Sequence, residues 1–226
     1  MARLRPTPAG DVLRIALAPR ALLNAYLVGD VLVDAGMRGQ GRGIVRALAG
    51  RPVTRHVLTH AHADHAGGSA TVVRALGLGP VACATGDLDD LRAGRSPALA
   101  LPGALRPVDR ALGRYAPVEA VELADGATVG PGFVVVATPG HTPGHVSLWR
   151  AADRVLIAGD VLMGLAPRSL RGGLRLPPAF DQPDPAAVRS SARRLAELEQ
   201  RTILFGHGPP MTDAAPRLHA LARSLA

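Results

Sequence analysis

Thr59–Gly68 reads THAHADHAGG, which gathers three of the chain's eight histidines and an aspartate into six residues. His60 and His62 are two apart, so on an extended segment their side chains leave the same face. Asp64 and His65 fall at the start of the helix that follows, and helical geometry turns them toward a second point nearby. One short segment can thus serve two metal positions, within the roughly 3.5–4 Å that separates the ions of two-metal sites. Imidazole and carboxylate are the ligands that zinc and iron accept where thiolate is lacking, and Cys83 is the only cysteine.

Four apolar runs elsewhere each end in a residue of the same chemistry. HVLTH ends at His60, FVVVATPGH at His141, VLIAGD at Asp160 and TILFGH at His207. Strands that share a sheet edge would bring these ends together, with short loops supplying ligands from a rigid scaffold. The count suits two ions. His60, His62 and His141 hold one, Asp64, His65 and His207 hold the other, and Asp160 bridges them. A hydroxide shared between the ions is the expected nucleophile, because metal binding lowers the pKa of water from about 15.7 to about 7.

The rest of the chain alternates strands and helices. LLNAYLVGDVLVDAG predicts two strands joined by a tight turn at Gly29-Asp30, and GIVRALAG a short helix. RHVLTH and PVACA read as strands, GGSATVVRALGLG as a helix ending at glycine, and TGDLDDLRAG as the start of another. Residues 94–117 lack a period and predict a loop with one helical turn. VEAVELADGATVGPG predicts a hairpin turning at Asp125-Gly126. Three successive strands follow, FVVVATPGH, HVSLWR and RVLIAGD, and then a mostly irregular stretch from Arg168 to Pro185. Asp184 and Pro185 cap a helix through DPAAVRSSARRLAELEQ, TILFGHG is a strand, and the tail from Asp213 is an amphipathic helix.

The chain has 226 residues, 47% of them hydrophobic, which suits one domain over 1–226 with a substantial core. All 26 basic residues are arginine, and the formal charge is +8. The arginines are scattered and aromatics make up 3%, so base stacking is poorly served and no nucleic-acid partner is expected. A lone cysteine excludes a disulfide framework. The N-terminal apolar stretch is cut by Arg14 and Pro19, unlike a signal peptide, and no apolar run reaches the roughly 20 residues of a membrane span. The expectation is a cytoplasmic protein with a small-molecule substrate and no membrane partner; oligomeric state is not legible.

HAHADH (His60–His65), TPGHTPGH (Thr138–His145), GD (Gly159-Asp160) and FGHG (Phe205–Gly208), in that order and over nearly the whole chain, resemble the metallo-β-lactamase-fold superfamily. VLVDAG, with Asp34, is similar to that family's early strand. The resemblance implies an α/β protein, a four-layer αββα sandwich with the metals at one edge between the sheets. The complete HxHxDH, the bridging Asp160 and the final His207 resemble the glyoxalase II and lactonase branch. That branch implies a dinuclear hydrolase of esters, thioesters or lactones, with two Zn2+, or iron or manganese in their place. In the mechanism so implied, Asp64 holds and orients the hydroxide and carries a proton to the leaving group.

Alternatives stay open. A persulfide dioxygenase with one iron would use His60, His141 and Asp160 and leave Asp64, His65 and His207 idle. β-Lactamases of this fold either lack the bridging aspartate or use a late cysteine, and they are usually exported. The stretch after His207 is short for glyoxalase II's glutathione-binding region, and nuclease relatives carry extra domains or an RNA-binding arm. His145 either orients a ligand or is structural; His56, His219 and Cys83 read as structural, and Asp34 as a brace beneath the metals. Arg168, Arg171 and Arg175 could clamp a substrate anion if their glycine-containing segment closes as a lid, although in so arginine-rich a chain they read first as a solvated loop. Tyr26 and Tyr115 could donate to an oxyanion, but nothing in the sequence places them there.

Overall fold

A computed structural model of the chain describes residues 2–166 and 169–225. Among these, one sheet takes its strands from the N-terminal half in chain order: β1 Arg3–Pro6, β2 Val12–Ala16, β3 Asn24–Val28, β4 Val31–Val33, β5 Arg55–Val57, β6 Val81–Cys83 and β7 Ala120–Glu122. β1 to β4 run antiparallel, and β4 to β7 are parallel, as strands joined through helices must be. The second sheet holds β8 Thr128–Val129, β9 Phe133–Ala137, β10 Val146–Arg150, β11 Val155–Ile157, β14 Thr202–Leu204 and β15 Met211–Thr212 in the order β15-β14-β11-β10-β9-β8. A separate hairpin pairs β12 Met163–Leu165 with β13 Gly172–Arg175.

The strand period of two sorts side chains into layers. Val31 and Val33 of β4, with Val155 and Ile157 of β11, enter the core between the sheets around Phe133, Leu148 and Leu204. Leu32 turns the other way, toward Ile44 and Leu48 on and just after α1 (Gly41–Ala47) and Val72 of α3 (Ser69–Leu76). Leu156 and Ile203 face Val188, Ala192 and Leu195 of α6 (Pro185–Ala196) and Leu218 of α7 (Ala214–Ser224). The result is the expected αββα order. α2 (Ala63–Ala66), α4 (Thr85–Ala93) and α5 (Arg106–Leu112) complete the helices among the described residues, none of which is long and apolar enough to cross a membrane.

Most predicted elements are present, including the Gly29 turn with its φ of 60° and the α6 cap, where Asp184 Oδ1 accepts from Ala187 N at 2.9 Å. Three readings are corrected. VEAVELADGATVGPG is not a hairpin: β7 joins the first sheet beside β6, and β8 joins the second. The Asp125-Gly126 turn instead leads into the second sheet, where Asp125 accepts from Ala137 N and Gly126 N bonds Val135 O. Residues 94–117 contain the two-turn helix α5, with Pro107 in its first turn, where a missing N–H costs nothing. Its Val108 and Leu112, and Leu105 just before it, stay exposed, so no buried periodicity announces it. The stretch 168–185 contributes β13; Arg168 itself lies outside the described residues.

Candidate metal centre

The ligand loops are held from several directions. After β5, the Thr59 backbone N–H and hydroxyl both bond the carboxylate of Asp34, at 2.8–3.1 Å. Asp34 itself sits in the left-handed region, φ 61°. His62 stands just before α2 in extended conformation, and the single turn of α2 swings Asp64 and His65 away from it. Ala61 N donates to Asp87 and Ala63 N to Ser96 Oγ. β9, β11 and β14 then deliver His141, Asp160 and His207 to the same edge. Gly159 takes φ 58°, and a Cβ there would meet His145 Nε2 at 2.5 Å. At Gly206 a Cβ would lie 2.0 Å from Asp160 Oδ1 and 2.7 Å from His65 Cε1.

All seven residues expected from the sequence come together, in two groups. His60, His62 and His141 form one, and Asp64, His65, Asp160 and His207 the other, with ligand atoms in each group within 4.8 Å of one another. Asp160 Oδ2 stands between the groups, 2.9 Å from His207 Nε2, 3.4 Å from His65 Nε2 and 3.8 Å from His141 Nε2. Side-chain exposure is 0% at His65 and His141 and 3% at Asp160, but 35% at Asp64 and 17% at His207. The open side of the centre is therefore the Asp64 side.

Hydrogen bonds to the far nitrogens choose the imidazole tautomers. His65 Nδ1–H donates to Asp34 Oδ2 at 2.8 Å and His141 Nδ1–H to Asp181 O at 2.9 Å. His60 Nδ1–H donates to Thr59 Oγ, whose own proton goes to Asp34, and His207 Nδ1–H donates to Leu22 O. In the neutral form of each ring Nε2 is then a lone pair facing inward, the arrangement that prepares histidines for a metal. His60 Nε2 and His141 Nε2 lie 3.2 Å apart with no hydrogen to place between them, and His62 Nδ1 is 3.0 Å from the same atom. A tetrahedral ion with bonds of about 2.0–2.1 Å spaces its ligand atoms about 3.3–3.4 Å apart, close to these values. His65 Nε2 and Asp160 Oδ1 are buried without a hydrogen-bond partner. These orphaned atoms and facing lone pairs fit a pair of divalent cations.

The two groups differ in protonation. Burial, reinforced by the facing rings, keeps His60 well below the usual imidazole pKa and pushes His62 down to about 3. Burial opposes protonation of His65 too, but Asp160, Asp34 and Asp64 outweigh it and raise its pKa well above the usual value. Asp160 and Asp64 do the same for His207. Without metal, His65 and His207 therefore hold a proton more tightly than a free imidazole, and an ion entering their group displaces protons. Affinity there falls as pH falls, while His60 and His62 have no proton to lose. Calorimetric metal titration in two buffers of different ionisation enthalpy counts the protons; a count near zero would contradict this account.

Several residues have roles the sequence left open. His145 accepts the Asp160 backbone N–H at Nε2 (2.9 Å), while its Nδ1 donates to Thr138 Oγ (2.8 Å). It sets the backbone of a ligand from one residue away. Asp34 is the brace it was expected to be. His56 bridges Leu32 O and Ser69 Oγ, and His219 bonds Ala196 O. Tyr26 donates to Phe205 O and Tyr115 to Ala61 O, so both hydroxyls serve loop backbones and neither is free for an oxyanion. Arg175 folds back on the carbonyls of Gly173 and Arg171. Sequence reasoning missed Asp87. Fully buried on α4, its carboxylate accepts from Ala61 N (2.9 Å), Thr142 Oγ (2.7 Å) and Gly144 N (2.7 Å). It thus ties the loop of His60 and His62 to the loop of His141.

A family model described as "Metallo-beta-lactamase superfamily" matches residues 21–207. Probable metallo-hydrolase YflN of Bacillus subtilis (strain 168) is 30% identical over 203 residues, 80% of this chain and 76% of that protein. A hydroxyacylglutathione hydrolase of Rhodospirillum rubrum is 32% identical over 184 residues, 78% of this chain and 59% of that protein. Among solved structures, TTHA1623 in a di-iron-bound form superposes with a TM-score of 0.63 at 32% identity, covering 89% of this chain and 95% of that one. The metallo-beta-lactamase SMB-1 superposes with a TM-score of 0.70 at 22% identity, over 97% and 93% of the two chains, a likeness of fold.

Proposed function

The chain belongs to the metallo-β-lactamase superfamily, and from that premise we propose that it is a dinuclear metal-dependent hydrolase of a small-molecule ester, thioester or lactone, with zinc as its metal. The observation that carries this reading is the second group: Asp64, His65 and His207 gathered with Asp160. A mononuclear iron oxygenase would leave three of those side chains idle, and a buried histidine with an unpartnered Nε2 is costly to keep without use. Hydroxyacylglutathione hydrolases among the relatives support a thioester or ester substrate. The donor set, five imidazoles and two carboxylates, suits zinc and also iron, the metal of the TTHA1623 structure.

Two cations held by these residues would lower the pKa of a bound water and polarise a substrate carbonyl. The chain's own side chains do the rest. Asp160, its Oδ2 shared between the groups, fixes their spacing. The four imidazoles with tethered Nδ1 atoms are set before substrate arrives, so little reorganisation is needed during reaction. Asp64, the most exposed of the seven, is placed to take a proton from the attacking water and pass it to the leaving group.

The test is elemental analysis of protein purified without added metal or chelator, followed by a screen of thioesters, lactones and esters. About two zinc ions per chain are expected. About one iron per chain with little zinc would overturn the reading.

A further inference from the structure

We propose that a cavity beside the metal centre, between β1, β2 and the His207 loop, is a phosphate-binding site. β1 and β2 pair with Arg5 opposite Arg14 and Arg3 opposite Ala16. Leu4, Leu13 and Ile15 turn to the helix side with Ile44 and Leu48. By the strand alternation, Arg3, Arg5 and Arg14 share the other face, that of Val12 and Tyr26. Arg20, held in the left-handed region at φ 54°, is a fourth. Together with Leu17 and Pro209 they line a cavity of about 760 Å³, within the range of small-molecule pockets.

Composition does not account for this cluster. Four of the ten lining residues are arginine, against 26 of 226 in the chain, and none is acidic. Like charges directly opposite across two strands destabilise the pair, and no carboxylate lines the cavity to offset them. Arg14 is the most enclosed of the four. Its Nε and Nη1 are shielded from solvent and have no hydrogen-bond partner among the described residues, which leaves Nη2 as the nitrogen open to the cavity. Arg150 shows how the same protein treats a satisfied guanidinium: Asp11 and Asp153 grip it with four bonds of 2.7–2.9 Å. Arg14 has no such carboxylate, and an anion in the cavity would supply an acceptor to its open edge. Four guanidinium groups without a carboxylate suit a group with two or more negative charges, a phosphate or diphosphate, better than a single carboxylate.

The location gives the site a use. Ala21 and Pro209 line the cavity. Ala21 O accepts from Gly208 N at 2.7 Å, and the next carbonyl, Leu22 O, accepts from His207 Nδ1. The Ala21–Leu22 backbone thus stands between the cavity and His207, and a substrate that reached around it could set a distal phosphate among the arginines. The placement in a substrate rests on the hydrolase reading; the phosphate site itself does not.

The experiment begins with full-length protein stripped of metal and dialysed free of chelator, so that no metal can hold the probe. Pyrophosphate binding is measured by calorimetry. Binding is expected to weaken at least tenfold in Arg5→Gln/Arg14→Gln and to stay unchanged in Arg217→Gln/Arg223→Gln, which removes the same two charges from exposed sites on α7. Should the double variant fail to fold, Arg3→Gln/Arg20→Gln on exposed positions gives the same reading. No binding to the wild-type chain, or equal weakening in Arg217→Gln/Arg223→Gln, overturns the proposal. The metal-loaded enzyme then separates two sources of the phosphate. If it belongs to the substrate, KM for a thioester with a phosphate-bearing leaving group rises about tenfold in the double variant, kcat holds, and an uncharged thioester is unaffected. If it is free phosphate, neither KM moves although pyrophosphate binding is lost. Absence of thioester turnover by the wild type would count against the hydrolase reading alone.

Discussion

Asp64→Asn is expected to lower turnover by about 10²–10⁴-fold, the usual contribution of a positioned acid–base group, while the fold stays intact. Asparagine keeps the volume and one oxygen, so packing changes little at a side chain that is 35% exposed. It removes the charge that stands 3.3 Å from His207 Nε2 and 3.9 Å from His65 Nε2, and it removes the only carboxylate of the centre with open access to substrate. The measurement is kcat at known metal content per chain, beside a thermal unfolding curve. His62→Ala should lose a comparable amount, by a different path: it takes one nitrogen from the first group and leaves His60 and His141 as a pair. Turnover within a few-fold of wild type in Asp64→Asn would mean that another group handles the proton.

Asp87→Ala carries the second large effect, and it falls on a residue that touches neither ion nor substrate. Three donors, Ala61 N, Thr142 Oγ and Gly144 N, lose their acceptor in a region closed to water. Each unsatisfied buried group costs about 1–3 kcal/mol, so a total of about 3–9 kcal/mol is expected, a large share of the 5–15 kcal/mol of a typical domain. The surroundings leave no room for the loops to settle elsewhere. A Cβ on Gly144 would lie 2.5 Å from Asp87 N, and one on Gly86 would lie 2.6 Å from the carbonyl carbon of Pro143. Burial already pushes the Asp87 pKa up, against the three hydrogen bonds; the carboxyl is kept there for those bonds. Chemical denaturation reads the stability loss, and metal content reads its local effect, which should fall first on the His60, His62 and His141 group. Stability within 1 kcal/mol of wild type, roughly a single hydrogen bond, would show that the clasp is dispensable.

The seven candidate ligands were legible because their chemistry is local. HAHADH declares itself within six residues, and His141, Asp160 and His207 each end an apolar run whose strand nature is plain. The layers came from the family resemblance, and the wholly apolar runs VLV and VLI, buried on both faces, are what inner strands of such a sandwich require. Asp87 was not legible: its partners lie 26, 55 and 57 residues away, and in TGDLDDLRAG it looks like any acid near a helix start. The misread hairpin at Asp125-Gly126 has a related cause. A turn signal fixes a change of direction but does not say which sheet offers the next vacant edge, and β6 offered one to Ala120–Glu122. Helix α5 escaped notice because its apolar side chains face solvent, where periodicity has no core to report.

Gly206 sets a boundary for anyone wishing to redesign this protein. With Asp160 Oδ1 at 2.0 Å and His65 Cε1 at 2.7 Å from where a Cβ would stand, even alanine would push two ligands out of place, so a mutagenesis library that includes this position returns damaged centres. The lesson extends to Gly144 and Gly159, whose missing side chains make room for Asp87 and His145. Variation is better directed to Leu105, Val108 and Leu112, which face solvent. The glycines fix the backbone beneath the candidate ligands, while exposed positions away from such contacts tolerate exchange.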